Sequence, residues 1–320
     1  MTTSIQPVPT QEAPVASIQP GGGFCFNLER AWGRTRRTLL RRFFPGYVQA
    51  QLAKRQGSCP DCPHDIIDGR DLKLLRNVCG YRFRPEDDRF AWRGRLGLVR
   101  AGLAEILCAS VVLLPLLAAG AALAWWVHPA GWALVAVLAV LWLFALAFFR
   151  DPHRVVPTEP NALVSPADGV VTHLEEVDDP GFPGKAFRVS IFLSVFDVHV
   201  NRVPRAGRVS RVAYYPGEFL DARASACPVR NEQLWLDLDD AQLGCMVRIK
   251  QIAGAIARRI VCWVAVGESL AAGERYGMIK FGSRTEVLIP AERVASVAVR
   301  IGQTVRGGRD VLLRVRERVG

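Results

Sequence analysis

Two groups of residues carry side chains able to do more than pack. The first is Cys59-Pro-Asp-Cys62-Pro-His64, followed by Cys79. A CxxC turn can present two thiolates to Zn²⁺ at ~2.3 Å, and Cys79 with His64 could complete a tetrahedron. There is one CxxC and His64 lies two residues beyond it, so packed thiols in a small capping segment stand beside zinc as a reading. The second group is Asp168 in Ser165-Pro-Ala-Asp168-Gly169, His199 in Asp197-Val-His199-Val-Asn201-Arg202, Ser225, Asn231 with Glu232, Arg258 with Arg259, and Gly282-Ser283. Each has an ordinary explanation when read alone. Pro-Ala-Asp-Gly and Gly-Ser form turns, and a His between valines is a core residue. Ser225, Asn231 and Glu232 can line a pocket or cap a helix near Pro228. Arg258 and Arg259 suit a phosphodiester, because guanidinium matches phosphate, and equally a solvated strand edge.

The elements that must hold these groups are announced by charge. Residues 1–100 carry 17 Lys and Arg against 9 acids, residues 101–150 one of each, and residues 151–320 carry 23 against 20. From Ile106 to Phe149, 44 residues contain no Asp, Glu, Lys or Arg. One helix of that length would span about 66 Å, twice the ~30 Å hydrocarbon core, so a break is predicted at Trp125–Gly131, where Trp-Trp precedes Pro and Gly. The result is a two-helix transmembrane hairpin over 101–150. Arg93, Arg95 and Arg100 before it, with Arg150, His153 and Arg154 after it, place both ends in the cytoplasm of a cell-membrane protein. The first 20 residues hold no apolar run of the kind a cleaved signal needs.

Residues 1–26 are predicted to be a disordered tail, since Thr, Gln, Pro, Ser and Gly dominate. Residues 27–100 form a basic, Cys-containing extension. In it Arg30, Arg34, Arg37 and Arg41 oppose Leu28, Trp32, Leu39 and Phe43 on an amphipathic helix stopped by Pro45-Gly46. A basic face beside a membrane hairpin suits anionic lipid headgroups, and a helix docked on its own domain is the alternative. No aromatic-interleaved module accompanies the charge, which argues against nucleic acid. Eight scattered Cys in a reducing compartment are expected as thiols or ligands rather than disulfides. Residues 151–320 read as short strands separated by Gly, Pro and Asp. The fold class is therefore α+β, mainly β, a β-sandwich or barrel-sandwich-like domain preceded by the hairpin.

In this order, together with Phe149-Arg-Asp-Pro152, Gln251–Cys262 and Gly277–Arg284, the second group closely resembles the phosphatidylserine decarboxylase proenzymes, in the short branch whose processing site reads Phe-Gly-Ser-Arg. The resemblance covers about residues 105–315. It implies self-cleavage at Gly282-Ser283, with Ser283 converted to a pyruvoyl cofactor, and His199 as base oriented by Asp168. It further implies decarboxylation of membrane phosphatidylserine to phosphatidylethanolamine through a Schiff base. A β chain would stay paired with a 38-residue α chain, and further pairing of protomers is plausible for the family. Many longer relatives carry a second His three residues after the first; here that residue is Arg202. An ether-linked serine lipid is an alternative substrate, and a non-catalytic membrane-tethered adaptor an alternative class.

Overall fold

The computed structural model describes residues 11–59, 63–255, 259–280 and 282–316. The extension contributes α1 (Phe24–Phe43), α2 (Pro45–Ala53) and α3 (Gly69–Leu72). Pro45 ends the first helix and opens the second, as its fixed φ and missing N–H dictate. The basic face of α1 is partly docked on its own extension: Arg36 pairs with Asp68 and Asp71, and Arg37 and Arg41 pair with Asp65. Asp68 and Asp71 are also the two halves of a capping box that starts α3. The other face of α1 leaves Phe24, Leu28, Trp32, Leu39 and Phe43 exposed.

Next come α4 (Leu103–Trp126) and α5 (Gly131–Phe148), both long and apolar enough to cross a membrane. They run antiparallel. Ser110 accepts a 3.0 Å hydrogen bond from the Trp142 indole near the open end. Gly131 lies so close to Ala124 at the turn that a Cβ would sit 2.6 Å from its backbone nitrogen. Most of the large apolar side chains of both helices are exposed.

The β domain holds fourteen described strands: β1 (Ala162–Val164), β2 (Gly169–Asp178), β3 (Lys185–Leu193), β4 (Val200–Arg202), β5 (Gly207–Tyr215), β6 (Gln233–Asp240), β7 (Cys245–Ala253), β8 (Arg259–Cys262), β9 (Ser269–Leu270), β10 (Arg275–Lys280), β11 (Ser283–Pro290), β12 (Val294–Val297), β13 (Thr304–Val305) and β14 (Val311–Val315), with a short helix α6 (Cys227–Arg230) before β6. The large antiparallel sheet has the order β13-β2-β3-β11-β7-β6-β5-β9, and two three-stranded sheets, β1-β14-β12 and β4-β10-β8, complete the domain. The mainly β expectation holds.

Alternation decides what each face of the large sheet carries. Leu193, Ile191 and Val189 of β3, Val287 and Ile289 of β11, and Ile249 and Val247 of β7 form the main core with Ile260 and Cys262 of β8 and Tyr276 and Ile279 of β10. The opposite face carries buried charge. Arg188, Arg284 and Glu286 form one cluster, while Arg248 and Lys250 bind Asp179, and Arg248 also binds Asp237. Each cation there meets an anion, which is the condition for burying either.

One expectation needs correction. Residues 12–23, read as part of a loose tail, run along the β domain: Ala13 bridges to Tyr214, and the Ile18 carbonyl accepts from the Cys262 N–H at 2.8 Å. Ile18 is buried in a cluster with Val261, Met278 and Phe148. One apolar side chain and two strand edges anchor a segment whose composition alone gave no sign of order.

Candidate active site

Gly282 separates β10 from β11, and the two strands belong to different sheets. Its φ of +59° is the left-handed conformation that glycine adopts without Cβ penalty. The carbonyl of Gly282 leans over Gly254, where an added Cβ would lie only 2.5 Å from the Gly282 oxygen. Glycine at 254 is thus required by the position of that carbonyl. Ser283 opens β11 and is fully buried between Leu193 of β3 and Ala253 of β7. Its Oγ has no hydrogen-bond partner among the described residues. A buried hydroxyl left unpaired costs roughly 1–3 kcal/mol, and the Tyr276 hydroxyl of β10 is in the same state among the described residues.

His199 lies just before β4, fully buried, with its ring 4.4 Å from that of Phe148 at the end of α5. Gly282 donates its N–H to Nε2 at 3.2 Å, and Nδ1 faces the Asp197 carbonyl at 2.9 Å. The two contacts fix one tautomer, with the proton on Nδ1 and the lone pair of Nε2 turned toward residue 282. Burial pushes the imidazole pKa down to about 4, against the raising effect of the Asp197 carbonyl, so the ring is neutral near pH 7.

Asp168 is brought to the same end of the domain, but its carboxylate does not reach His199. One oxygen accepts from Arg154 at 2.6 Å and the other from the Gly307 N–H at 2.8 Å. The hydrogen bond expected from Asp168 to the histidine is made by the Asp197 carbonyl instead. Burial raises the Asp168 pKa, and Gly307 and Arg154 oppose the rise. Arg202 is a tie: it holds Asp151, the Pro152 carbonyl and the Gly273 carbonyl. Below the site Gln251 donates to Asn201 at 2.8 Å, and Asn201 contacts Thr285 at 3.3 Å, linking β7, β4 and β11.

The remaining expected residues are less closely gathered. Asn231 is buried and clamps Leu220 and the Ala253 carbonyl, which places it behind the strand that flanks Ser283. Ser225 is exposed in the turn before α6. Glu232 and Arg259 face the segment 19–23, since a Cβ on Gly21 would meet Glu232 Oε1 at 2.7 Å and one on Gly23 would meet Arg259 Nε at 2.9 Å. Burial lifts the Glu232 pKa to about 7 against the lowering pull of Arg259. Arg258 lies outside the described residues. Of the proposed zinc ligands, Cys62 also lies outside them. Cys59 and Cys79 share an apolar cluster with Ile66 and Leu72, while His64 lines a separate cavity among arginines. Among the described residues no three His, Cys, Asp or Glu side chains are grouped to hold a metal.

With this geometry in view, comparison with known proteins is direct. Residues 141–313 match the family model for phosphatidylserine decarboxylase. A phosphatidylserine decarboxylase proenzyme of Rhodopirellula baltica is 44% identical over 247 residues, 77% of this chain and the whole of that protein. Proenzymes of the same name from Symbiobacterium thermophilum and Cupriavidus pinatubonensis are 50% and 39% identical, over 62% and 65% of this chain and 90% and 92% of theirs. The chain belongs to the phosphatidylserine decarboxylase family. It is accordingly an enzyme of the carboxy-lyase class. The matched model begins inside α5, so the extension, with α1 to α3, lies outside it.

Sequence reasoning missed three participants. Arg154 read as a charge flanking a membrane span, Gly254 as part of a motif without a role, and the Asp197 carbonyl had no side-chain signature to find.

Proposed function

We propose that the chain is a membrane-bound proenzyme that cleaves itself between Gly282 and Ser283 and then decarboxylates phosphatidylserine to phosphatidylethanolamine. The observation that carries this reading is the pairing of a buried, unpartnered Ser283 hydroxyl with a neutral His199 whose Nε2 lone pair is held at residue 282. In the processing step His199 exchanges the Gly282 N–H for the Ser283 hydroxyl and takes its proton. Oγ then bonds to the Gly282 carbonyl carbon, the peptide C–N bond breaks, and the proton passes to the Ser283 nitrogen. Loss of the Ser283 Hα and departure of the Gly282 carboxylate leave dehydroalanine, which water converts to a pyruvoyl group with release of ammonia. The site fits such a group, because a methyl takes the place of a buried hydroxymethyl whose oxygen makes no hydrogen bond among the described residues. When present, it supplies the electron sink that decarboxylation needs.

His199 remains available to move a proton in the second reaction. Asp168, with Arg154 and Gly307, acts as a positioning residue that ties the segment after the hairpin and the loop after β13 to the start of β2. After cleavage the α chain stays bound, since its first strand, β11, pairs along its length with β3 and along most of it with β7.

The two apolar helices of the hairpin support membrane attachment. Phe148 at the end of α5 packs on His199 itself, and Arg150 binds the carbonyl of Phe196, whose ring is exposed beside Phe144. A site at this level meets the headgroup without extracting the lipid, a step that costs about 0.8 kcal/mol per exposed CH₂. Arginines at both hairpin ends favour the cytoplasmic side. The test supplies phosphatidylserine in mixed micelles to the full chain and follows CO₂ and phosphatidylethanolamine. The wild type should form both, and Ser283→Ala should form neither and stay a single chain; activity in Ser283→Ala would refute the assignment.

A further inference from the structure

We propose that the extension builds a second lipid site, a basic cavity that binds the phosphate of an acidic phospholipid separately from the decarboxylation site. The inference rests on the membrane placement proposed above. The cavity, of about 480 Å³, lies between α1, the segment 16–22, residues 63–75 and the turn leading into α4. Among the described residues its wall carries eight Arg or Lys side chains against three carboxylates. All three carboxylates are already engaged: Asp71 by Arg36 and Arg37, Asp65 by Arg37 and Arg41, and Glu29 by Lys73.

Four wall residues, Arg30, Arg34, Arg70 and Arg93, make no ion pair with the described residues. Three of them are held by aromatic rings, Arg30 over Phe26 at 5.8 Å, and Arg70 and Arg93 over Phe90 at 4.8 and 4.5 Å. A guanidinium fixed on a ring keeps its planar fork of donors free for another acceptor, and phosphate is the acceptor that fork matches. Gathering these cations around one partly enclosed volume is unfavourable until an anion enters. The strain is visible in the wall itself: burial, followed by Arg36 and Arg93, lowers the pKa of Arg70, and burial, followed by Arg30, lowers that of His64.

A lipid, rather than a free anion, is favoured by what borders the charge. Leu103, the first residue of α4, and Trp32 line the cavity. Trp32 belongs to the exposed apolar stripe of α1. Acyl chains attached to a bound phosphate would therefore have an apolar surface to follow. The cavity residues all precede residue 141, outside the region shared with the family model.

Native mass spectrometry of the full chain in detergent tests this with dioleoylphosphatidylglycerol, dioleoylphosphatidylcholine and inorganic phosphate as probes. One spectrum reads bound lipid and backbone cleavage together, so failure of this site and failure of the self-cleavage reading are distinguishable. The wild type should retain one phosphatidylglycerol above the phosphatidylcholine background, and Arg30→Gln combined with Arg34→Gln should cut that occupancy at least ~10-fold. Arg34 makes no side-chain hydrogen bond among the described residues, so Arg34→Gln alone, expected to weaken retention several-fold, separates lost binding from lost folding. Arg41→Gln, on the same helix but outside the cavity, should retain lipid as the wild type does. Displacement of the lipid by excess inorganic phosphate would keep phosphate in the cavity and identify its source as soluble. Equal retention by the wild type and the double variant, or of the two lipids by the wild type, would overturn the site.

Discussion

The large sheet and the extension use arginine in opposite ways. On the sheet, Arg188, Arg248 and Arg284 are almost wholly buried, and each finds Glu286, Asp179 or Asp237. In the extension, Arg30 and Arg34 are exposed and Arg70 and Arg93 half-buried, and among the described residues none of the four has an ion pair, while three lie over aromatic rings. Buried charge must be neutralised within the fold, so the sheet's arginines are architecture. Charge left open at a cavity wall is neutralised by whatever enters, so the extension's arginines are a surface for a ligand.

The largest effect expected within that contrast is at the scissile carbonyl. Gly254→Ala puts a methyl group against the Gly282 oxygen and should slow self-cleavage ~100-fold, as displacements of about 1 Å at a reacting centre do, measured by the appearance of the 38-residue α chain. Cleavage at the wild-type rate would mean that the carbonyl position is not what Gly254 protects. Next is the buried pair. Glu286→Ala strands Arg284, leaves Arg188 with Glu175 alone, and should lower unfolding stability by ~3–5 kcal/mol in thermal or denaturant melts.

A smaller effect is set by pH. The folded His199 pKa is about 4, below the ordinary 6.5, so the unfolded chain binds the proton first as pH falls. Stability is whole above pH 6.5 and declines between 6.5 and 4, by about 2 kcal/mol at pH 5 from this group. His199→Asn should remove that part of the slope, and an unchanged slope would place the buried neutral imidazole in doubt. The smallest effect belongs to the extension. Arg41→Ala breaks a half-exposed pair with Asp65 and should cost under ~1 kcal/mol; a loss near that of Glu286→Ala would erase the distinction between the two regions.

Much of this arrangement is legible in the sequence. A run of 44 residues without formal charge sets both hairpin helices, and Trp125–Gly131 brackets their turn. Alternating valines and isoleucines give the long strands, and the Gly-Ser break is where β10 and β11 part. The site itself is only half legible. Side chains announce Ser283, His199 and Asp168, but the acceptor that holds the histidine is a backbone carbonyl, and no residue type encodes one. Arg154 meets Asp168 across a turn that composition does not specify, and Gly254 meets Gly282 only because β7 and β11 pair. Short strands such as β4, β9 and β13 are too brief for any periodicity to show.

The central claim, that Ser283 is both the point of cleavage and the source of the cofactor, is tested most directly by intact mass measurement of the purified wild-type chain in detergent. The account predicts two species, with the smaller being the 38 residues from position 283 and carrying a ketone in place of the serine amine. A single uncut mass in protein that decarboxylates phosphatidylserine, or a cut at any other bond, would contradict it.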